Sequence, residues 1–185
     1  MTDDPSRPGD DAHVDAALIE RWREGDQRAA TELVARHAPA LARFAANLGV
    51  LDDVEELVQD TFVRAFGSLG AFRGESSLRT WLFTIERRLL LDRRRSERRR
   101  RDQQSLEGHD PGTEYDALDA VVAEETERRV REAVERLTPT QREVFTLRVS
   151  EGLSYKEIAE IVGSTEGAAR VHYHNAMRAV KEFLR

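Results

Sequence analysis

Arginine side chains crowd one short stretch of the sequence, where they could bind a row of phosphates. Residues 87–101, the arginine block, hold nine arginines and two acids, although the whole 185-residue chain has a formal net charge of −6. Guanidinium groups clustered on one helix are typical of a nucleic-acid surface, whereas the plainer interpretation is a solvated charged face. Aromatic residues just upstream favour nucleic acid, because bases stack on aromatic rings: Phe72, Trp81 and Phe83. Trp81 also falls on an apolar stripe, which predicts a mainly structural role.

A second group of polar side chains lies near the C-terminus. Residues 153–180 predict a short helix, a tight turn with a glycine and a longer helix, the helix-turn-helix arrangement. On the longer helix, Ala169, Tyr173, Ala176 and Val180 share one face and should pack inward. Outward side chains could contact phosphates or base edges in the major groove: Thr165, Glu166, Ala168, Arg170, Val171, His172, Asn175 and Arg178.

Enzymatic and metal chemistry finds little support in the residue pattern. His172 and His174 stand two apart on a helix, so they point to different sides and make a poor metal pair. The chain has no cysteine, which excludes disulfides and thiolate ligands. No glycine-rich phosphate loop or nucleophile motif is present. We therefore predict that the protein is not an enzyme and has no catalytic residue, metal or cofactor.

The apolar periodicity predicts an all-α protein of two small helical domains joined by a flexible acidic linker. Residues 1–14 have the composition of a disordered tail, and residues 15–95 repeat apolar side chains at helical spacing. Residues 96–126 predict the linker, since residues 102–127 hold nine acids and no lysine or arginine. Residues 127–185 form the second domain. No apolar run approaches twenty residues and no secretory signal precedes the chain, so a cytoplasmic location is expected.

Capping motifs in the sequence predict where several helices begin. Thr138 with Gln141, and Ser154 with Glu157, each predict a capping box. Asp52 with Glu55 predicts another, and Ser76 or Ser77 should begin the helix that leads into the arginine block. These starts fix which side chains point outward.

Three stretches resemble the extracytoplasmic-function (ECF) sigma factors of bacterial RNA polymerase, within the sigma-70 superfamily. They are DDVEELVQDTFVRAF, FRGESSLRTWLFTIERRLLLDRRR and LTPTQREVFTLRVSEGLSYKEIAEIVGSTEGAARVHYHNAMRAVKEFL. The resemblance implies sigma region 2 over residues 15–95 and region 4 over residues 127–185. It also implies an alternative sigma factor, of the kind used in stress responses, that binds core polymerase, directs it to specific promoters and assists promoter melting.

The resemblance assigns three binding surfaces. Region 2 would dock on the β′ clamp and region 4 on the β flap; the clamp residues would be Asp53, Glu56, Gln59, Asp60 and Arg64. The start-proximal (minus-10) element would bind Phe72, Arg73, Ser76, Trp81, Arg87, Arg88, Asp92 and Arg95. The upstream (minus-35) element would bind Arg142, Ser154 and the eight outward residues of the last helix. An anti-sigma factor, often membrane-bound, is the further partner implied. The protein would then be nucleoid-associated when active and held at the membrane when inhibited.

This sequence departs from the family pattern. Family members commonly carry IARN where this chain has IERR, so Glu86 and Arg88 replace alanine and asparagine. His172 and Asn175 stand where arginines are frequent, which should weaken phosphate attraction. Two rivals stay open at this point: a stand-alone regulator that binds DNA as a dimer, and a sigma-like adaptor that no longer opens promoters.

Overall fold

The computed structural model describes residues 8–50, 53–104 and 123–185, and the side chains of residues 11–50, 53–102 and 128–185. Regular structure in these ranges is entirely helical, which confirms the predicted all-α class. No helix in the described ranges is long and apolar enough to cross a membrane. The helices are α1 (Pro8–Arg23), α2 (Gln27–Asn47), α3 (Val54–Ser68), α4 (Leu78–Gln104), α5 (Ala123–Glu135), α6 (Pro139–Val149), α7 (Tyr155–Val162) and α8 (Glu166–Phe183), with a short 3₁₀ helix at Leu69–Ala71.

Helix α1 begins inside the stretch where the sequence predicts a tail. Its first residue is Pro8, whose fixed φ suits the first turn of a helix. Asp11 and Asp15 then hold α1 on α2 through Arg36, at 2.7 and 3.1 Å. Asp15 also lies 3.0 Å from the buried His37 ring. These ion pairs lie far apart in sequence, so periodicity alone could not place the start of the helix.

Helices α1 to α4 form the N-terminal unit around an aromatic centre. Phe44 on α2 and Phe83 on α4 are both fully buried and meet edge to face, with ring centroids 5.2 Å apart. Helix α3 packs between them and solvent through Leu57, Val58 and Phe62. The unit therefore holds α4 rigidly at its first three turns.

Helix α4 is longer than the sequence analysis suggests. It runs to Gln104, whereas the linker was expected from residue 96. Ser77 begins it as expected, since its Oγ accepts a hydrogen bond from the Thr80 N–H at 3.1 Å. Arginine is a good helix former and no glycine or proline lies between Leu78 and Gln104, so the helix continues through the arginine block. At the other end of the expected linker, residues 123–126 belong to α5.

Helices α5 to α8 form the C-terminal unit, and its local capping follows the sequence. Both capping boxes, Thr138–Gln141 and Ser154–Glu157, are confirmed. Asp52 lies outside the described residues, and Asp53 precedes α3 without a side-chain cap bond. Gly163 ends α7 with φ of 69°, a left-handed conformation that favours glycine. The chain then turns directly into α8, whose buried residues include Ala169, Ala176 and Val180.

The two units are packed on one another. Helix α4 lies against α7, and α2 touches α6. One continuous apolar cluster joins Leu82 and Phe83 of α4 to Val144, Ile158 and Val162 of the C-terminal helices. This interdomain contact, between the α2/α4 side of the N-terminal unit and the α6/α7 side of the C-terminal unit, does not follow from the local sequence pattern.

Candidate nucleic-acid interface

One side of α4 collects four of the residues expected to meet the start-proximal DNA. Trp81, Arg88, Asp92 and Arg95 follow one another at steps of seven, four and three residues, which places them on one stripe of the helix. We call these four residues the α4 stripe. Arg88, Asp92 and Arg95 are exposed, and Trp81 is half-buried. At 1.5 Å per residue the stripe is about 21 Å long, enough to follow several nucleotides.

The loop before α4 brings an aromatic pair to the near end of this stripe. Phe72 packs on Trp81 with ring centroids 5.1 Å apart. Arg73 beside them is exposed, and Ser76 is half-buried. Phe83, the third aromatic residue named for base stacking, is fully buried in the core, so that expectation is wrong. The loop and the start of α4 therefore place a half-buried aromatic pair next to one exposed arginine.

Other arginines of the arginine block are held within the protein. Arg87 points away from the α4 stripe and donates to Glu143 of α6 at 2.9 Å. Arg93 donates to Glu56 and Asp60 of α3 at 3.1 and 2.6 Å. Arg94 donates to the Leu48 carbonyl. Arg87 therefore does not belong to the α4 stripe, which holds the other α4 residues expected to bind the minus-10 element.

Helix α8 presents a polar face beside a well-formed turn. Thr165 caps it, accepting a hydrogen bond from the Ala168 N–H at 3.2 Å. Among the outward residues, Thr165, Glu166, Arg170, Val171 and Arg178 are exposed, while Ala168, His172 and Asn175 are half-buried. Arg170 pairs with Glu166 at 2.9 Å and lies over the Tyr155 ring. Arg178 donates to Asn175 at 3.2 Å. The face thus combines hydrogen-bonding groups with one exposed apolar side chain, Val171.

Two further residues expected at the upstream element have structural contacts. Arg142 donates to the carbonyls of Val134 and Glu135 and so closes the end of α5. The Ser154 hydroxyl accepts from the Glu157 N–H and lies exposed at the start of α7.

Helix α3 exposes all five residues expected to meet the polymerase clamp. Glu56 and Asp60 pair with Arg93, so part of the acidic charge is compensated from α4. Beside them, α2 and α3 enclose an open apolar groove of about 560 Å³. Its lining includes Val34, Pro39, Val58, Phe62 and Val63. Val63 is 68% exposed.

Comparison with known proteins identifies a family match in each of the two units. Residues 33–100 match the family described as sigma-70 region 2, and residues 127–180 match sigma-70, region 4. The ECF RNA polymerase sigma-E factor of Haemophilus influenzae is 31% identical over 177 residues, which covers 91% of this chain and 94% of that protein. The chain belongs to the ECF sigma factors. It is an alternative sigma factor of transcription initiation.

Two solved structures are also similar to this ECF sigma factor. One is the sigma factor RpoE in complex with the anti-sigma factor NepR from Bartonella quintana, with a TM-score of 0.70 and 27% identity over 83% of this chain and 95% of that one. The other is CnrH in complex with the cytosolic domain of CnrY, with a TM-score of 0.68 and 31% identity over 92% of this chain and 97% of that one.

Sequence reasoning on this sigma factor missed the apolar groove. Only polar residues of α3 were named, because the apolar residues of α2 and α3 were assigned to the core. The position of Val63 could have indicated the groove. It is an apolar residue outside the buried stripe of α3, which includes Leu57, Val58, Phe62 and Ala65.

Buried carboxyl groups at the interdomain contact of the sigma factor were missed as well. The Glu151 side chain is wholly buried and accepts from Arg43 and Arg79. Glu143 accepts from Arg87. Glu86 is fully buried, and both its carboxyl oxygens lack a hydrogen-bond partner within the described residues. Burial, with a smaller contribution from the nearby Glu151 charge, raises the pKa of Glu86 to about 9.

Proposed function

We propose that this sigma factor brings core RNA polymerase to specific promoters by gripping DNA at two separated surfaces and helps to open the duplex at one of them. The observation that carries the proposal is the α4 stripe together with the loop before it. They place the Phe72–Trp81 aromatic pair and two exposed arginines along one side of the helix. A surface of this kind suits a strand whose bases leave the stack while its phosphates stay bound.

At the start-proximal element, Arg88 and Arg95 would contact phosphates of the separated strand, and Arg73 would contact the strand beside the aromatic pair. Removing a base from the stack costs a few kcal/mol, which contacts to the flipped base and to flanking phosphates can offset. Asp92 between the two arginines lies 3.7 Å from Arg95 and would orient its guanidinium group. This division of roles accounts for an acid in the middle of a basic stripe.

At the upstream element, α8 would enter the major groove with its N-terminal half. Arg170 and Arg178 would contact phosphate or guanine, and Val171 would contact a thymine methyl. His172 and Asn175 would add hydrogen bonds with less fixed charge than arginines, so base contacts should contribute more to binding there than phosphate contacts.

The exposed face of α3 would bind the β′ clamp of core polymerase, and the C-terminal unit would bind the β flap. Asp53, Gln59 and Arg64 offer polar groups, and the groove beside them offers apolar area for a helix. Catalysis of nucleotide addition would belong to the polymerase, so this subunit needs no catalytic residue, metal or cofactor.

An anti-sigma factor is a further proposed partner. In the two similar structures above, the sigma factor RpoE is in complex with the anti-sigma factor NepR, and CnrH is in complex with the cytosolic domain of CnrY. We infer a cytoplasmic sigma factor whose inhibitor, free or membrane-bound, covers the polymerase-binding surfaces. Most of the linker that the sequence predicts between the two units, residues 105–122, lies outside the described residues.

Run-off transcription with variants of each DNA surface tests the two-surface proposal. We would transcribe a promoter library, randomised at both elements, with core polymerase and either Arg170→Ala or Arg88→Ala sigma factor. The expected result is altered base preference upstream for Arg170→Ala and reduced start-proximal opening for Arg88→Ala, with Arg28→Ala on α2 as the matched exposed control. If both variants weaken all promoters by the same factor, the assignment of separate elements is wrong.

A further inference from the structure

The interdomain contact buries a carboxyl group for which the described residues supply no counter-charge. Arg79 lies on the same side of α4 as Glu86, seven residues before it, and Arg87 is the next residue along the helix. Their guanidinium groups are already engaged, Arg79 with Glu151 and Arg87 with Glu143. Glu86 itself has no hydrogen-bond partner among the described residues. An ionised Glu86 could not remain here without a large desolvation cost.

The charged side chains on the elements around Glu86 are either acidic or already paired with another residue, so they do not compensate a charge on Glu86. Helix α2 supplies Arg43, which is bound to Glu151. The C-terminal unit supplies three acids: Glu143 on α6, Glu151 after it, and Glu157 on α7, which lies 3.3 Å from the Thr80 hydroxyl. Helix α3 supplies Glu56 and Asp60, which are exposed and bound to Arg93. The surroundings therefore favour a neutral carboxyl group at Glu86.

We propose that the interdomain contact is proton-dependent: the two units close on a protonated Glu86 and separate when Glu86 loses its proton to water. In the closed form the carboxyl group is neutral and buried. In the open form the α4 surface that holds Glu86 meets solvent, where its carboxylate is hydrated.

The direction of the pH dependence follows from linkage. The ordinary pKa of a glutamate is 4.5, and burial in the closed form raises the pKa of Glu86 to about 9. Between these values the closed form binds one more proton than the open form, so rising pH favours opening. The ratio of closed to open molecules should fall by up to tenfold for each pH unit in this interval and level off beyond either end.

The effect of this opening on promoter binding rests on the proposed function. Arg87 is bound to Glu143 in the closed form and would be released for the start-proximal DNA in the open form. Because the domain arrangement can be measured without DNA or polymerase, failure of the proton-dependent contact would be distinguishable from failure of the proposed promoter binding.

A distance measurement on the full chain tests the proposal. The protein has no native cysteine, so labels at Gln27→Cys and Lys181→Cys, both at exposed sites, report the separation of the two units. We expect the wild-type closed-to-open ratio to fall steeply from pH 5.5 to pH 9. Glu86→Gln, which cannot ionise, should stay closed with less than a twofold change in ratio. Glu97→Gln, an exposed acid further along α4, should follow the wild type.

Three results would overturn the proposal. One is a wild-type ratio that does not change with pH, whether the molecule is closed or open throughout. Another is the same pH slope in Glu86→Gln as in the wild type, which would assign the proton to a group other than Glu86. If circular dichroism shows that Glu86→Gln does not fold, Glu86→Met takes its place. The third result is then a pH slope in Glu86→Met equal to that of the wild type.

Discussion

At the scale of single residues, Glu86 is a source of instability at neutral and alkaline pH. A buried polar group without a partner costs roughly 1–3 kcal/mol, and methionine fills a similar volume without that cost. We predict that Glu86→Met raises the melting temperature at pH 7 by several degrees. The gain should grow as pH rises toward 9, because the folded wild type then holds a proton that the unfolded chain has lost.

Calorimetry of Glu86→Met against Glu97→Met measures this effect. Glu97 is exposed on the same helix, so its replacement should change stability by no more than about 0.5 kcal/mol. A melting temperature of Glu86→Met below that of the wild type at pH 8 would contradict the account of Glu86.

Residue roles divide sharply between those that the sequence predicts and those that it cannot. Ala169, Ala176 and Val180 pack inward as the helical period indicates, and Ser77 begins α4. Arg87 and Arg88 were both assigned to the DNA surface as members of the arginine block, yet only Arg88 belongs to the α4 stripe. Adjacent helical positions point about 100° apart, and the acid that holds Arg87, Glu143, lies 56 residues away in sequence.

At the scale of elements, the capping box at the start of α7 stabilises the helix that leads into the turn before α8. The Ser154 hydroxyl accepts from the Glu157 N–H, and the Glu157 carboxylate accepts from the Ser154 N–H at 2.8 Å. We predict that Ser154→Ala lowers the free energy of unfolding by about 1 kcal/mol. Ser154→Thr keeps a capping hydroxyl and should lose much less.

Urea unfolding of both variants checks the cap, with Ser150→Ala as a control at an exposed serine. An equal loss for Ser154→Ala and Ser150→Ala would show that the capping box does not stabilise α7. Promoter binding by Ser154→Thr separates the cap from any DNA contact of the hydroxyl.

The α4 stripe supports a second prediction at this scale. If Arg88 and Arg95 each neutralise a phosphate, Arg88→Ala/Arg95→Ala holoenzyme should bind promoter DNA more weakly at low salt. The slope of log affinity against log salt should decrease by about 1–2, because fewer counterions are released. Arg28→Ala should leave the slope unchanged. Fluorescence anisotropy over a salt series measures it, and an unchanged slope in the double variant would contradict the phosphate contacts.

Element boundaries were predictable where the signal is local. The capping boxes at Thr138 and Ser154 lie within four consecutive residues, and both are present. The start of α1 and the end of α4 were not predicted, because composition alone was used to separate helix from tail and linker. Charged residues can continue a helix when good helix formers carry the charge, as arginine does in α4.

At the scale of the whole molecule, Glu151 connects the two units. Its wholly buried carboxylate is bound by Arg43 and Arg79 of the N-terminal unit. Removal of one partner leaves a poorly compensated buried charge, which is strongly destabilising. We predict that Arg79→Ala separates the units and increases the radius of gyration, whereas Arg79→Ala/Glu151→Gln recovers much of the closed form.

Small-angle scattering of these two variants, with Arg28→Ala as the control, measures the separation. A compact Arg79→Ala protein would show that apolar packing between α4 and α7 holds the units without the ion pairs. The sequence could not have predicted this contact, since Arg43 and Glu151 are separated by 108 residues. The prediction of two domains joined by a flexible linker made no statement about packing between them, because a linker pattern reveals nothing about tertiary contacts.

The most direct test of the account is promoter-specific initiation. We would measure run-off transcription by bacterial core polymerase, with and without this sigma factor, over a library randomised at the upstream and start-proximal elements. The account predicts transcripts from a defined set of promoters only when the protein is present, with base preferences at both elements. Binding to core polymerase without transcription from any library member would indicate an adaptor, and DNA binding without core binding would indicate a stand-alone regulator. Either result would contradict the central claim.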